Sequence, residues 1–389
     1  MICLSMGIFS PIARLQNWYA RNERIFGSLS LVAGFIFDAV TLKRIDMFWE
    51  NVWIISHLLV AGLGIIILNF YEKRRVSKYR DEEYEEEEGE KAHWTENKIH
   101  FWLIMFIQFA FGGLFSTFIV FYFRSATLAT SWPFLALLAA VFIFNELFKR
   151  HYLRLTFQIS VLFIATFSFA IYVVPVIFHR IGDDMFILSG LFSLILIWIF
   201  IRVLSFFTRE RFRKSKILLF LSIGSIYIVI NWLYFYNIIP PIPLSLKDAG
   251  VFHSIVKNSQ GEYVVSFENR ELDQKIIDFF RSSQTIKIQT GKTIYVYSAI
   301  FAPTNLKQDI FHVWQYYDDS KEQWIDYEKI GLSILGGRDE GFRTYSHSRN
   351  IFSGKWRVNI ITPRGQQIGR IKFELERVES EVPLVSEIK

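Results

Sequence analysis

Long, almost unbroken apolar runs occupy the first 244 positions, and period-two alternation of apolar and polar residues occupies most of the rest. Seven of the runs are long enough to cross a hydrocarbon core of roughly 30 Å as helices. They lie near Ile25–Leu42, Val52–Phe70, Ile99–Phe123, Trp132–Leu147, Leu155–Phe178, Met185–Phe207 and Ile217–Tyr236. Met1–Ser10 is too short an apolar run for a cleavable signal and Pro11 closes it, so the first span is expected to act as an uncleaved anchor. Asn237–Leu244 reads Asn-Ile-Ile-Pro-Pro-Ile-Pro-Leu, whose prolines end the last helix and stiffen an extended exit. Beyond it, Tyr263–Glu268, Thr285–Thr290, Thr293–Ile300, Phe311–Tyr317, Ile330–Leu335, Lys355–Thr362 and Gln367–Glu376 alternate or are rich in β-branched and aromatic residues, which predicts strands. Between the first two, Glu271–Ser282 places Leu272, Ile276, Ile277 and Phe280 on one helical face. The expected fold is an α-helical polytopic membrane bundle of about seven spans over residues 1–244, followed by an extramembrane antiparallel β-sandwich domain over residues 245–389.

Composition supports a membrane protein. Hydrophobic residues make up 52%, aromatics 17% with 40 Phe, and charged residues only 21%, a balance foreign to water-soluble globular proteins. The single cysteine, Cys3, excludes an intramolecular disulfide and every cysteine-rich metal site, and the eight histidines show no metal-binding spacing. No metal and no cofactor are expected. The net charge of +6 resides mainly in the helical half, with 23 Lys+Arg against 18 Asp+Glu up to Leu244 and 20 against 19 after it. Clustered in short loops, that excess reads as topology bias and not as a nucleic-acid surface. Lys73–Lys98, Lys149–Arg154 and Arg209–Lys216 carry the basic clusters, whereas the alternate loops hold Arg124, Arg180 and the mildly conflicting Lys43–Arg44. Positive residues stay on the cytoplasmic side, so the amino terminus is expected inside and Ser245–Lys389 outside. Asp81–Glu90, within the 71–98 loop, holds eight acidic residues in ten and reads as a solvated cytoplasmic excursion, with a docking tail for a basic partner as the alternative.

Several short motifs carry a family resemblance. Phe301-Ala-Pro303, His312-x-Trp314 with Tyr316–Tyr317, Gly336-Gly-Arg338-x-x-Gly341-Phe-Arg343-x-Tyr345-Ser346, Gly354-Lys-Trp356-Arg357-Val358 and Thr362-x-x-Gly365-x-x-x-Gly369-Arg370 together resemble the bacterial domain-of-unknown-function family numbered 2914. The resemblance covers residues 291–376. Gly34-Phe-x-Phe-Asp38-x-x-Thr41-Leu-x-Arg44-Ile-Asp46 and Ile239–Leu246 are similar to the multi-span segments that accompany this domain. It implies a bacterial inner-membrane protein with an exported β-domain, and it implies no reaction.

Ionisable side chains within spans are costly, so each suggests a buried pair or a site. Asp38, His57, Arg124 and His179 fall in or beside the outer third of their helices, near the exported domain. Such a cluster could hold a lipid phosphate; the simpler reading pairs Asp38 with Arg124 or Arg44 to fix helix packing. Asn69, Gln108, Asn145, Glu146 and Gln158 lie towards the cytoplasm and read as interhelical hydrogen-bonding groups. Gly112-Gly113-x-x-Ser116 and Ser189-Gly190-x-x-Ser193 suit close helix approach, and Pro175 is an ordinary proline late in a span. In the exported domain Trp314, Trp324, Arg338, Arg343 and Tyr345 are the binding candidates, because exposed rings with arginines at their edge can stack sugars or cradle an anionic polymer. Trp356 is expected in the core with Val358 and Ile360. Gly336–Gly337 reads as a turn, with a backbone anion nest as the alternative.

These features favour a bilayer-anchored binding or scaffolding protein that engages an envelope glycan, lipid head group or protein. An integral-membrane enzyme acting on a lipid-linked phosphate or sugar is the competing reading, although no nucleophile elbow, phosphate loop or metal motif supports catalysis. A transporter is disfavoured because facing midplane carboxylates and internal repeats are missing.

Overall fold

A computed structural model describes residues 33–42, 44, 46–81, 89–125, 128–147, 154–260, 262–269, 283–289, 291–349 and 351–389. The start of the expected first span, most of the Asp81–Glu90 run, Lys149–Arg150, the expected Glu271–Ser282 helix and the side chains of Asn145 and Glu146 lie outside the described residues.

Seven helices come first: α1 (33–41), α2 (Phe48–Asp81), α3 (Gly89–Ser125), α4 (Leu128–Leu147), α5 (Leu155–Phe178), α6 (Asp183–Phe207) and α7 (Arg209–Phe235). Seven spans were expected; among the described residues five of these helices contain a segment long and apolar enough to cross a membrane: Phe48–Arg74, Trp102–Ser125, Leu155–Phe178, Asp183–Phe207 and Arg209–Phe235. The described part of α1 is too short, and in α4 the described apolar stretch is Thr130–Phe144, also too short. Aromatic side chains fill the bundle, with Phe111, Phe115, Phe118 and Tyr122 of α3 buried with Phe163, Phe167 and Tyr172 of α5. Glycines set the closest approaches, as the sequence motifs suggested. A Cβ on Gly113 would come within 2.9 Å of the His57 ring, and one on Gly190 would meet Tyr227 at 3.0 Å and Phe167 at 3.3 Å. At the opposite end of the bundle Asn69 donates to the Gln158 Oε1 at 2.6 Å and Arg211 pairs with Glu72, interhelical links of the expected kind.

The strands are β1 (Ser245–Phe252), β2 (Ser254–Lys257), β3 (Tyr263–Glu268), β4 (Gln284–Ile288), β5 (Ile294–Phe301), β6 (Lys307–Asp318), β7 (Gln323–Leu335), β8 (Phe342–Ser348), β9 (Gly354–Ile361), β10 (Gln367–Arg377) and β11 (Leu384–Ile388). They form a three-stranded sheet β1-β5-β8, a five-stranded sheet β4-β10-β9-β6-β7 and a three-stranded sheet β11-β3-β2. β4 runs parallel to β10, so the expected purely antiparallel arrangement is not what forms. Val251, Ile294 and Val296 of the first sheet share one core with Trp314, Trp356, Val358 and Phe373 of the second. Trp356 is fully buried, with Val358 and Ile360 on its face as the alternation indicated.

A polar staple crosses that core. His312 of β6 is fully buried, with Nε2 3.0 Å from the Ser298 Oγ on β5 and Nδ1 2.8 Å from the Ser346 Oγ on β8. Ser298 also bonds Thr344, and the Trp314 Nε1–H donates to the Ser346 Oγ at 3.0 Å. Burying polar groups is costly unless they are paired, and here each finds a partner, His312 and Trp314 across the two sheets and Thr344 within its own. Burial pushes the His312 imidazole down to about 4, so it is neutral at physiological pH.

The β-rich region is fastened to the helix ends at two places. Arg364, in the turn between β9 and β10, pairs with Asp183 at the start of α6, donates to the Asn237 Oδ1 at 3.2 Å and lies over the Tyr234 ring at 4.4 Å. Arg44, between α1 and α2, hydrogen-bonds Asp46 and Asp339, and the Asp46 carboxylate accepts the Thr304 backbone N–H at 3.1 Å. Leu244, at the end of the proline exit, is fully buried among Ile300, Ala302, Leu306 and Ile368.

Candidate functional site

Two polar groupings emerge, one at the junction of helices and strands and one on the free face of the five-stranded sheet. The junction is built around Phe301 at the end of β5. The Arg44 guanidinium lies over its ring at 5.1 Å and the Lys247 ammonium at 5.3 Å. Arg124, in the last turn of α3, donates to the Ala39 carbonyl at 2.9 Å, capping α1, and lines the same small recess as Arg44, Lys247, Ser125 and Ser245. Burial alone would raise the Asp46 carboxyl, but hydrogen bonds from Arg44 and Thr304 hold it below the usual carboxylate range. The Lys247 ammonium is pushed down, first by burial and then by the nearby Arg124 charge.

The sequence-predicted cluster of Asp38, His57, Arg124 and His179 is only partly brought together. Asp38 and His57 are both buried, with Asp38 beside Ser116 and within electrostatic reach of His57. The His57 Nδ1 lies 2.9 Å from the Trp53 carbonyl, its own helix's previous turn. Arg124 turns towards the junction, and His179 is an exposed C-cap of α5 with φ 52°. Asp38 and His57 therefore belong to helix packing, and only Arg124 faces a recess.

The predicted platform of Trp314, Trp324, Arg338, Arg343 and Tyr345 is not assembled either. Trp314, expected to be available at the surface, is fully buried. The residue pattern fixed which neighbours share its face but not that this face turns inward. Trp324 opens β7 whereas Arg338 follows the other end of that strand, so roughly 35 Å of extended chain separates them. Arg338 is exposed above the Phe342 ring at 5.2 Å, Arg343 is half-buried on β8, and Tyr345 is half-buried between Tyr263 and Tyr295. Gly336–Gly337 is a turn and not an anion nest, because its N–H groups donate to the Leu306 carbonyl at 2.8 Å and the Ala302 carbonyl at 3.1 Å. Gly337 has φ 104°, and a Cβ on Gly336 would sit 1.7 Å from the Pro303 carbonyl oxygen.

Trp324 instead joins a different set. Its ring is half-buried against Tyr317 at 5.3 Å, and the Arg357 guanidinium of β9 lies over it at 4.2 Å. The Arg357 Nε donates to the Gln315 Oε1 at 2.6 Å; the Arg370 Nε on β10 donates to the Asn359 Oδ1 at 2.6 Å and its Nη2 to the Gln367 Oε1 at 2.9 Å. Neutral amides thus orient two neighbouring guanidiniums. Burial first, then the Arg370 charge, push Arg357 down to about 10.

Sequence reasoning passed over Lys247, Arg357, Arg364 and Arg370 as functional residues. Arg357 and Arg370 stood inside quoted motifs, and Lys247 is the first cation after the proline exit, a position that itself marks the helix–strand junction.

Apolar helices that could span a bilayer, followed by a β-rich region, define the class of protein. Residues 307–375 match the family described as "Protein of unknown function (DUF2914)", within the region where the motifs resemble it. That segment begins with β6 and ends within β10. Comparison with curated proteins gives no match. Among solved structures, an immunoglobulin-like protein from Pseudomonas aeruginosa is 7% identical with a TM-score of 0.20, over 35% of this chain and 98% of that one. A beta-glucosidase from Listeria innocua in complex with gluconolactone is 10% identical with a TM-score of 0.18, over 29% of this chain and 16% of that one. The alkylpurine DNA glycosylase of Pseudomonas fluorescens bound to abasic-site DNA is 9% identical with a TM-score of 0.20, over 84% of this chain and 98% of that one. At these scores the likenesses carry no argument.

Proposed function

We propose that this is a binding protein of the bacterial inner membrane, anchored by its helices, whose exported β-sandwich engages an acidic envelope glycan. The observation that carries this reading is the Arg357–Trp324 stack with Arg370 beside it on the outward face of β10, β9, β6 and β7. Aromatic rings offer a flat apolar surface to a sugar, and guanidiniums oriented by amides offer forked donors to its carboxylates. The alternating Lys and Arg counts support the orientation with the amino terminus inside. Catalysis on a lipid-linked phosphate or sugar is the weaker reading, since the described residues lining the junction recess include neither a carboxylate nor an imidazole to move a proton.

The full chain in detergent should be retained on immobilised polygalacturonate and not on neutral dextran. Trp324→Ala and Arg357→Gln should each weaken retention about tenfold with little change in melting temperature, as loss of one stacked ring or one charged hydrogen bond implies. Equal retention on both polymers, or no effect of either substitution, would overturn the glycan reading. A reporter active only in the cytoplasm, fused after Glu376, should be silent.

A further inference from the structure

The junction recess is independent of the glycan face and shares none of its residues. Three cations reach it from separate parts of the chain: Arg44 from the α1–α2 connection, Arg124 from the end of α3 and Lys247 from β1. Like charges repel, so their convergence requires that the fold hold each one in place. Arg44 is held by Asp46, Thr304 and Asp339, Arg124 by the Ala39 carbonyl, and Lys247 shares the Phe301 ring with Arg44. The carboxylates that engage Arg44, Asp46 and Asp339, are not part of the recess lining, whereas the hydroxyl-bearing Ser125 and Ser245 are.

We infer that this recess binds a phosphate group, with Arg44, Arg124 and Lys247 supplying charge and Ser125 and Ser245 supplying hydroxyl donors. A tetrahedral anion needs donors from several directions, which two guanidiniums, an ammonium and two hydroxyls on three chain segments can give. Burial and the Arg124 charge push Lys247 down against the opposing pull of Glu340 and Asp339, and bound negative charge would offset both depressing effects. Exposed apolar side chains adjoin these residues in sequence: Val40 beside Ala39, Phe48 and Trp49 after Asp46, and Phe123 beside Arg124. They give an acyl chain a surface to lie on, so the phosphate of a phospholipid head group is one source and soluble phosphate the other.

The test uses the full chain in detergent, titrated calorimetrically with dihexanoylphosphatidylglycerol, dihexanoylglycerol and inorganic phosphate. Phosphatidylglycerol should bind, dihexanoylglycerol should bind at least about tenfold more weakly, and Lys247→Gln should weaken phosphatidylglycerol binding about tenfold while Lys247→Arg restores most of it. Retention on polygalacturonate should be unchanged by Lys247→Gln, which separates this site from the glycan face. Phosphatidylglycerol binding much tighter than inorganic phosphate supports the lipid source, and equal binding of the two supports soluble phosphate at the same site. Binding of dihexanoylglycerol as tight as that of the phospholipid, silence from all three probes, or a Lys247→Gln variant that binds like the parent would overturn the inference. If Lys247→Gln does not fold, competition of inorganic phosphate against phosphatidylglycerol on the parent chain decides: displacement supports the site and its absence overturns it.

Discussion

His312 joins two sheets only while it is neutral. Its imidazole titrates near 6.5 in an unfolded chain and at about 4 in the folded one, because burial disfavours the charged form. The unfolded state therefore binds more protons between those values. The stability it contributes is fully present above about pH 6.5 and is lost as pH falls through about 4, a total of about 3 kcal/mol. Urea unfolding of the full chain, followed by tryptophan fluorescence at pH 7.5 and 4.5, should show this loss, and His312→Asn should flatten it. Trp314→Ala and Trp356→Ala should each destabilise by about 3–5 kcal/mol, since both rings are fully buried. For Trp356 the sequence was sufficient, because Val358 and Ile360 share its face. The same pattern, with Trp356 alone filling the core, leaves Trp314 at the surface, whereas both rings are buried. Only the hydroxyls of Ser298 and Ser346, distant in sequence, make His312 acceptable inside.

At the scale of elements, run length identified the helices well, because a span must be apolar along its whole extent and no tertiary knowledge is needed to see that. Strands were legible where one face is buried and the other wet, as in β4 and the second half of β10, and β5 was legible from its β-branched and aromatic run although nearly all of it is buried. β1, β2, β8 and β11 went unread: β1 carries Lys247, Asp248 and Gly250, β2 is only four residues long, β8 reads Phe-Arg-Thr-Tyr-Ser-His-Ser with few aliphatics, and every residue of β11 is exposed. The turn after β7 offers a sharp test. Gly336→Ala would place a methyl group against the Pro303 backbone, which cannot rotate away as a side chain could, and should cost about 1–3 kcal/mol. Gly224→Ala, which meets nothing within 4 Å, should leave the melting temperature unchanged or raise it slightly.

For the molecule as a whole, the sequence placed the change from helix to strand at the proline exit but gave no sign that the two parts would be bolted together. Arg44 and Arg364 do this through partners 295 and 181 residues away in sequence. The exit itself belongs to the strand region, since Leu244 is fully buried there. A fragment starting at Ile239 should accordingly melt higher than one starting at Ser245, by thermal circular dichroism, and equal melting would show Leu244 to be dispensable. β1 emerges directly from this exit and pairs antiparallel with β5 from Ser245 opposite Phe301 to Phe252 opposite Tyr295. A force drawing the strand region away from the helices would load those backbone hydrogen bonds along the strand axis, so that they share the force and yield together. The tether is geared for shear.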